Sequence, residues 1–129
     1  MSTIKLDVNR LKFDWNPFKE TIWGDFVISK AEINKEIKKD RFSNPDSNNN
    51  DYKRIDHIIR IAWFVAKDKR RNPILVDFTL PPPESKKIDW PIIDGNHRFA
   101  AAIVRNDPWI EAEVSGEDEV ISLYEWKEK

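Results

Sequence analysis

The chain has 129 residues, a formal net charge of −1, no cysteine and two histidines. That length suits one ordinary domain; the lack of thiols excludes disulfides, thiolate nucleophiles and thiolate metal sites, and two histidines exclude an all-histidine zinc centre. Near-neutral charge argues against attraction of the whole molecule to nucleic acid, no run approaches the roughly 20 apolar residues of a membrane span, and with no apolar signal-peptide core between Met1 and Arg10 the expected address is cytoplasmic.

Ile4, Leu6 and Val8 alternate with polar residues, and Leu11 and Phe13 continue the period after a slip, so the opening reads as a strand or two short strands. Trp15-Asn16-Pro17 ends it, because the residue before a proline is pushed to extended backbone. Asp14, just before that break, reads as a turn-capping acid. Ser29 is placed to N-cap a helix from Lys30, with Glu32 at the capping-box position. Ala31, Ile33 and Ile37 lie roughly on one side of that helix, which makes it weakly amphipathic and peripheral. From Phe42 to Asp51 the chain is polar and rich in turn formers, and reads as a flexible loop.

Ile55, Ile58, Ile59, Ala62, Trp63, Val65 and Ala66 recur at steps of three and four, the pattern of a strongly buried helix. Ile74 to Phe78 is a short β-branched run that predicts an interior strand. Leu80-Pro81-Pro82-Pro83 predicts a polyproline-like turn leading to a second strand over Trp90 to Ile93. Gly95 breaks that strand, and the stretch from Phe99 to about Arg105, with three consecutive alanines, predicts a helix. Ile110, Ala112 and Val114 alternate with polar residues as a half-exposed strand, and the tail from Glu117 to Trp126 has the spacing of one short helix. Trp63, Phe64, Trp90 and Phe99 have packing spacing, whereas Trp15, Trp23 and Trp109 adjoin loops and are the aromatics free to stack on a base or a partner.

Asp94-Gly95-Asn96-His97-Arg98 is the segment with the most chemistry. A strand ends there in an acid and a glycine and a helix starts within a residue or two, so free N–H groups and the positive helix end face whatever lies beyond the strand. Arg98 is a bidentate donor for phosphate or carboxylate, and His97 is a second donor. Asp94 is placed to orient either of them or to hold a metal that bridges phosphates. The alternative is purely structural: a glycine turn, an Asp94 or Asn96 cap, and an Arg98 ion pair. Arg54, His57 and Arg60 follow at three-residue steps on the preceding helix, a polar stripe able to reach the same cleft or simply to face solvent.

The helix over 54–67, the strand Pro73-Ile74-Leu75-Val76, and Ile92-Ile93-Asp94-Gly95-Asn96-His97-Arg98 leading into Phe99-Ala100-Ala101-Ala102 together resemble the ParB/sulfiredoxin superfamily over about residues 53 to 115. The resemblance implies a single compact α/β (α+β) domain over 1–129, a small mixed sheet flanked by helices. It implies that Gly95, Asn96, His97 and Arg98 bind the phosphates of a nucleotide (ATP, ADP or CTP); the polar stripe on the preceding helix offers Arg54 and His57 as further contacts. Asp94, His97 and Arg98 would be the catalytic set, and Asp94 the ligand of a Mg²⁺ ion. Asp14 stands roughly where the serine-kinase branch keeps its acidic base. Asn96 replaces the reactive cysteine of sulfiredoxins, which rules out sulfinic-acid reduction, and the partition proteins' "GERR" turn and helix-turn-helix are missing. What the resemblance leaves is a stand-alone, ParB-like NTPase, nuclease or kinase-like phosphotransferase. The competing expectation is a binding or counter-defence protein of a phage or plasmid, with a protein partner and no turnover; a third is DNA binding through the basic residues from Lys53 to Arg71.

Overall fold

A computed structural model of the chain describes residues 3–40, 53–68, 71–79 and 89–128. The order of elements is β1 (Ile4–Asp7), α1 (Val8–Asp14), α2 (Lys30–Lys38), α3 (Arg54–Ala66), β2 (Ile74–Phe78), β3 (Ile92–Asp94), α4 (Asn96–Arg105), β4 (Trp109–Gly116) and α5 (Asp118–Tyr124). The strands form one mixed sheet in the order β1-β4-β2-β3, with β4 and β2 parallel and the outer pairs antiparallel. The expected α+β class, a small mixed sheet with helices, is what the fold is. The expected loop over 42–51 and the turn after Leu80 lie outside the described residues.

The opening corrects the expectation of continued strand. β1 stops at Asp7, whose Oδ1 accepts hydrogen bonds from the N–H groups of Asn9 (3.0 Å) and Arg10 (3.2 Å) and so caps a helix. Val8, Leu11 and Trp15 are then buried at helical steps, while Phe13, which the alternating pattern counted as apolar, is 90% exposed. Trp15 is therefore a core residue and not a loop aromatic; its ring packs 5.1 Å from Tyr124 and 6.2 Å from Phe78.

β2 is an interior strand, as its composition predicts, and Ile74, Val76 and Phe78 alternate into the core. β3 begins two residues later than expected because Pro91 has no N–H for the ladder, although its carbonyl accepts from the Asp77 N–H at 2.9 Å. The Ser29 and Glu32 capping box forms as predicted. Its helix is less peripheral than its sequence suggested, since Ile33 is fully buried while Ala31 faces out. The tail helix ends at Tyr124. Glu125 then bridges to Leu6 and the Trp126 N–H donates to the Lys5 carbonyl, which covers part of the outer edge of β1.

Two hydrophobic clusters result, and α4 belongs to both. Phe99, Ala102 and Ile103 pack with the sheet and α1, and Ala100 and Ala101 pack with Ile28 and Ile33 and with Ile58, Ile61 and Ala62 of α3. The alanine run lets α3 approach α4 closely while the opposite side of the same helix fills the sheet core. The start of α4 is thereby positioned between both layers.

Candidate functional site

Gly95 is the pivot of the site. It sits at the end of β3 in left-handed backbone (φ 96°, ψ 22°) and is the N-cap of α4. A Cβ there would run into the Ile74 side chain, so both conformation and space require glycine. The helix starts at once, with the Phe99 N–H on the Gly95 carbonyl at 2.9 Å. Gly95 brings no side-chain cap and the first turn carries no acid, so the helix presents its leading N–H groups and positive dipole end at the strand terminus. The side chain of Asn96 stitches the turn together: its Oδ1 accepts from Trp90 Nε1 at 2.7 Å and its Nδ2 donates to the Ile92 carbonyl at 3.4 Å.

His97 and His57 meet across α4 and α3, with His57 Nδ1 2.9 Å from His97 Nε2. Their ring planes differ by 11° and their centroids are 5.1 Å apart. That centroid distance exceeds the nitrogen distance by nearly two ring radii. The rings must therefore lie end to end, with one nitrogen's lone pair aimed along the other's N–H bond. This is a linear hydrogen bond between neutral rings; two ligands of one ion would converge at an angle. Trp23 packs against both rings, at 4.8 Å from His97 and 5.3 Å from His57, and its Nε1 donates to the Pro17 carbonyl. Burial, and then the positive charge of Arg60, push His97 down to about 3; burial likewise lowers His57. At neutral pH His97 is thus a neutral donor or acceptor, not a cation.

The cations at this end of the molecule are arginines. Arg98 Nη1 donates to the carbonyls of Asn72 (3.2 Å) and Pro73 (3.3 Å), and its Nη2 lies 3.7 Å from Asp94 Oδ2. Arg98 is largely enclosed, whereas the Asp94 side chain is 70% exposed. Arg60 places a buried Nε with no hydrogen-bond partner among the described residues. Arg54 is engaged elsewhere: its Nη2 binds Glu32 Oε1 at 2.5 Å and the Val27 carbonyl at 3.0 Å, and this pairing holds the Glu32 carboxyl below its ordinary range. Asp14 accepts a 2.5 Å hydrogen bond from the Tyr124 hydroxyl, in place of the expected turn cap.

The structure therefore gathers Gly95, Asn96, His97, Arg98 and His57 as the sequence anticipates, and leaves Arg54 as a clamp between α2 and α3. Trp23 was marked in the sequence only as an aromatic beside a loop; nothing in its spacing signals the histidine pair beneath it. Among the described residues no three histidine or carboxylate side chains are grouped to hold a metal, and no helix is long and apolar enough to cross a membrane. No protein-family model, curated protein or solved structure matches this chain.

Proposed function

We propose that the chain is a ParB-like nucleotide-phosphate-binding protein, with the β3–Gly95–α4 turn as the phosphate cradle. The observation that carries this reading is the glycine pivot: tight packing on Ile74 delivers an acid-free helix start beside Arg98 and Arg60. The backbone N–H groups of Asn96, His97 and Arg98 would take phosphate oxygens, and Arg98 would supply charge. A Mg²⁺ ion would take Asp94 as its protein ligand and draw its other ligands from phosphate and water. It would neutralise charge for a metal-assisted NTPase, nuclease or phosphotransferase reaction.

A non-catalytic binding role is the second reading. It is favoured by Asp94, the carboxylate next to the turn, being solvent-exposed and already within 4 Å of Arg98. Thermal shifts with ADP, ATP, CTP, GTP and short DNA, each with and without Mg²⁺, separate these. A nucleotide-dependent rise that is lost in both Arg98→Ala and Arg98→Lys supports the cradle. Turnover of that nucleotide that disappears in Asp94→Asn supports catalysis, and stabilisation without turnover supports the binding role. No shift with any nucleotide refutes the cradle.

A further inference from the structure

A cavity of about 340 Å³ opens on the flank of α4, between the end of α3 and the starts of β2 and β4. Its lining includes Phe64, Arg71, Arg98, Arg105, Asp107 and Trp109. We propose that it is a second binding site, for a small anion carrying a single flat ring. The proposal does not depend on phosphate binding at the β3–Gly95–α4 turn.

Arg98 and Arg105 are seven residues apart, so they share one face of α4 two turns apart. Both are fixed by backbone carbonyls: Arg98 on those of Asn72 and Pro73, and Arg105 on that of Phe64 at 2.9 Å. Arg105 also occupies Asp107 through two bonds to one oxygen, 3.0 Å and 2.7 Å, which neutralises that acid. Arg71 is left with Asp107 at 3.8 Å and a side chain 58% exposed, so most of its donors face open space. Arg71 Nη1 and Arg105 Nη2 approach the same Asp107 oxygen, at 3.8 Å and 2.7 Å, which brings those two guanidiniums to one end of the cavity. Of the other lining acids, Asp68 Oδ1 accepts from the Arg71 N–H at 3.3 Å, and Glu111 is the cross-strand neighbour of Lys5.

Two further observations point the same way. Arg71 has φ 50°, a left-handed conformation that a residue with a Cβ adopts at a penalty and that glycine or asparagine would fill more easily. Strain of this kind persists where a side chain is needed in place. The cavity also carries Phe64 and Trp109, and the Lys5 ammonium 4.3 Å over the Trp109 ring fixes that indole's orientation. A volume near the lower end for ligand pockets suits one ring and one anionic group rather than a whole dinucleotide.

Phenyl phosphate is the probe, with inorganic phosphate and phenol as its separate halves, titrated into the ¹⁵N-labelled full chain and followed by NMR. Saturable shifts of the Trp109 indole N–H and of the Arg71, Asn72 and Asp107 amides are expected, with Trp23 and His97 unmoved. Arg71→Ala and Arg71→Gln, both on an exposed side chain, should weaken phenyl phosphate about tenfold while the rest of the spectrum stays folded. Each half should bind more weakly than the whole. The proposal is overturned if no saturable shift occurs, or if shifts gather on Asn96 and His97 instead. It also fails if inorganic phosphate binds as tightly as phenyl phosphate, or if both Arg71 variants bind like the wild type.

Discussion

The histidine pair makes stability depend on pH, with a sign that the structure dictates. His97 is pushed down to about 3 first by burial and then by the charge of Arg60, whereas in the unfolded chain it returns to about 6.5. Between these values the unfolded chain binds a proton that the folded one refuses. Its contribution is therefore complete above about pH 6.5 and is lost as pH falls towards 3. By pH 5 the loss from this ring is about 2 kcal/mol, and His57, lowered for the same reason, adds in the same direction. Urea unfolding between about pH 8 and pH 5 should show this fall at constant slope against denaturant. His97→Asn should start about 1 kcal/mol lower for the lost hydrogen bond, and then vary less with pH. An equal pH dependence in the variant, or an NMR titration of the His97 ring near its unfolded value, would refute the neutral pair. The same linkage predicts that an anion bound at the turn takes up a proton, so its affinity should rise as the solution is acidified.

Gly95→Ala should destabilise by about 3 kcal/mol, since it adds both a left-handed alanine and a collision with Ile74; calorimetry reads this directly. Arg71→Gly should do the opposite, raising stability by about 1 kcal/mol through relief of its backbone while removing the cavity's least occupied cation, a trade visible in paired melting and binding curves. The Tyr124 hydroxyl is pushed up to about 12, first by burial and then by its bond to Asp14. Stability from it is whole below about pH 10 and is lost as pH rises towards 12, and ultraviolet titration should find one late-ionising tyrosine that Tyr124→Phe removes.

How far the sequence could be read depended on whether the signal was local. The Ser29 capping box, the helix Arg54–Ala66, the interior strand Ile74–Phe78 and the glycine turn before α4 are each specified within a few residues, and all are present. The strand-to-helix change at Asp7 was hidden because Ile4, Leu6 and Val8 fit a two-residue period as well as Val8, Leu11 and Trp15 fit a helical one. A side-chain oxygen on two backbone N–H groups decided between them. The His57 to His97 bond joins positions 40 residues apart, and Arg54 could have turned to the turn or to Glu32. Periodicity places such groups on a helix, but only packing selects the partner. The Arg98 and Arg105 spacing was visible, yet the cavity they share also needs Arg71 and Trp109 from other elements.

The placement of the turn rests finally on the small side chains of α4. Ala100 and Ala101 are fully buried against α2 and α3, while Phe99 and Ala102 are fully buried on the sheet side, so the helix has no free flank along this stretch. A larger residue at Ala100 must push α3 away, and α3 carries His57 and Arg60. Ala100→Leu is therefore expected to cost about 2 kcal/mol and also to lengthen the His57 to His97 hydrogen bond. Because the low His97 value comes first from burial, that variant should raise the ring's titration point as water enters. Ala102→Val, on the opposite flank, should lose similar stability and leave the titration where it was. A ring that titrates alike in both variants would mean that the histidine pair does not depend on the α3 to α4 contact.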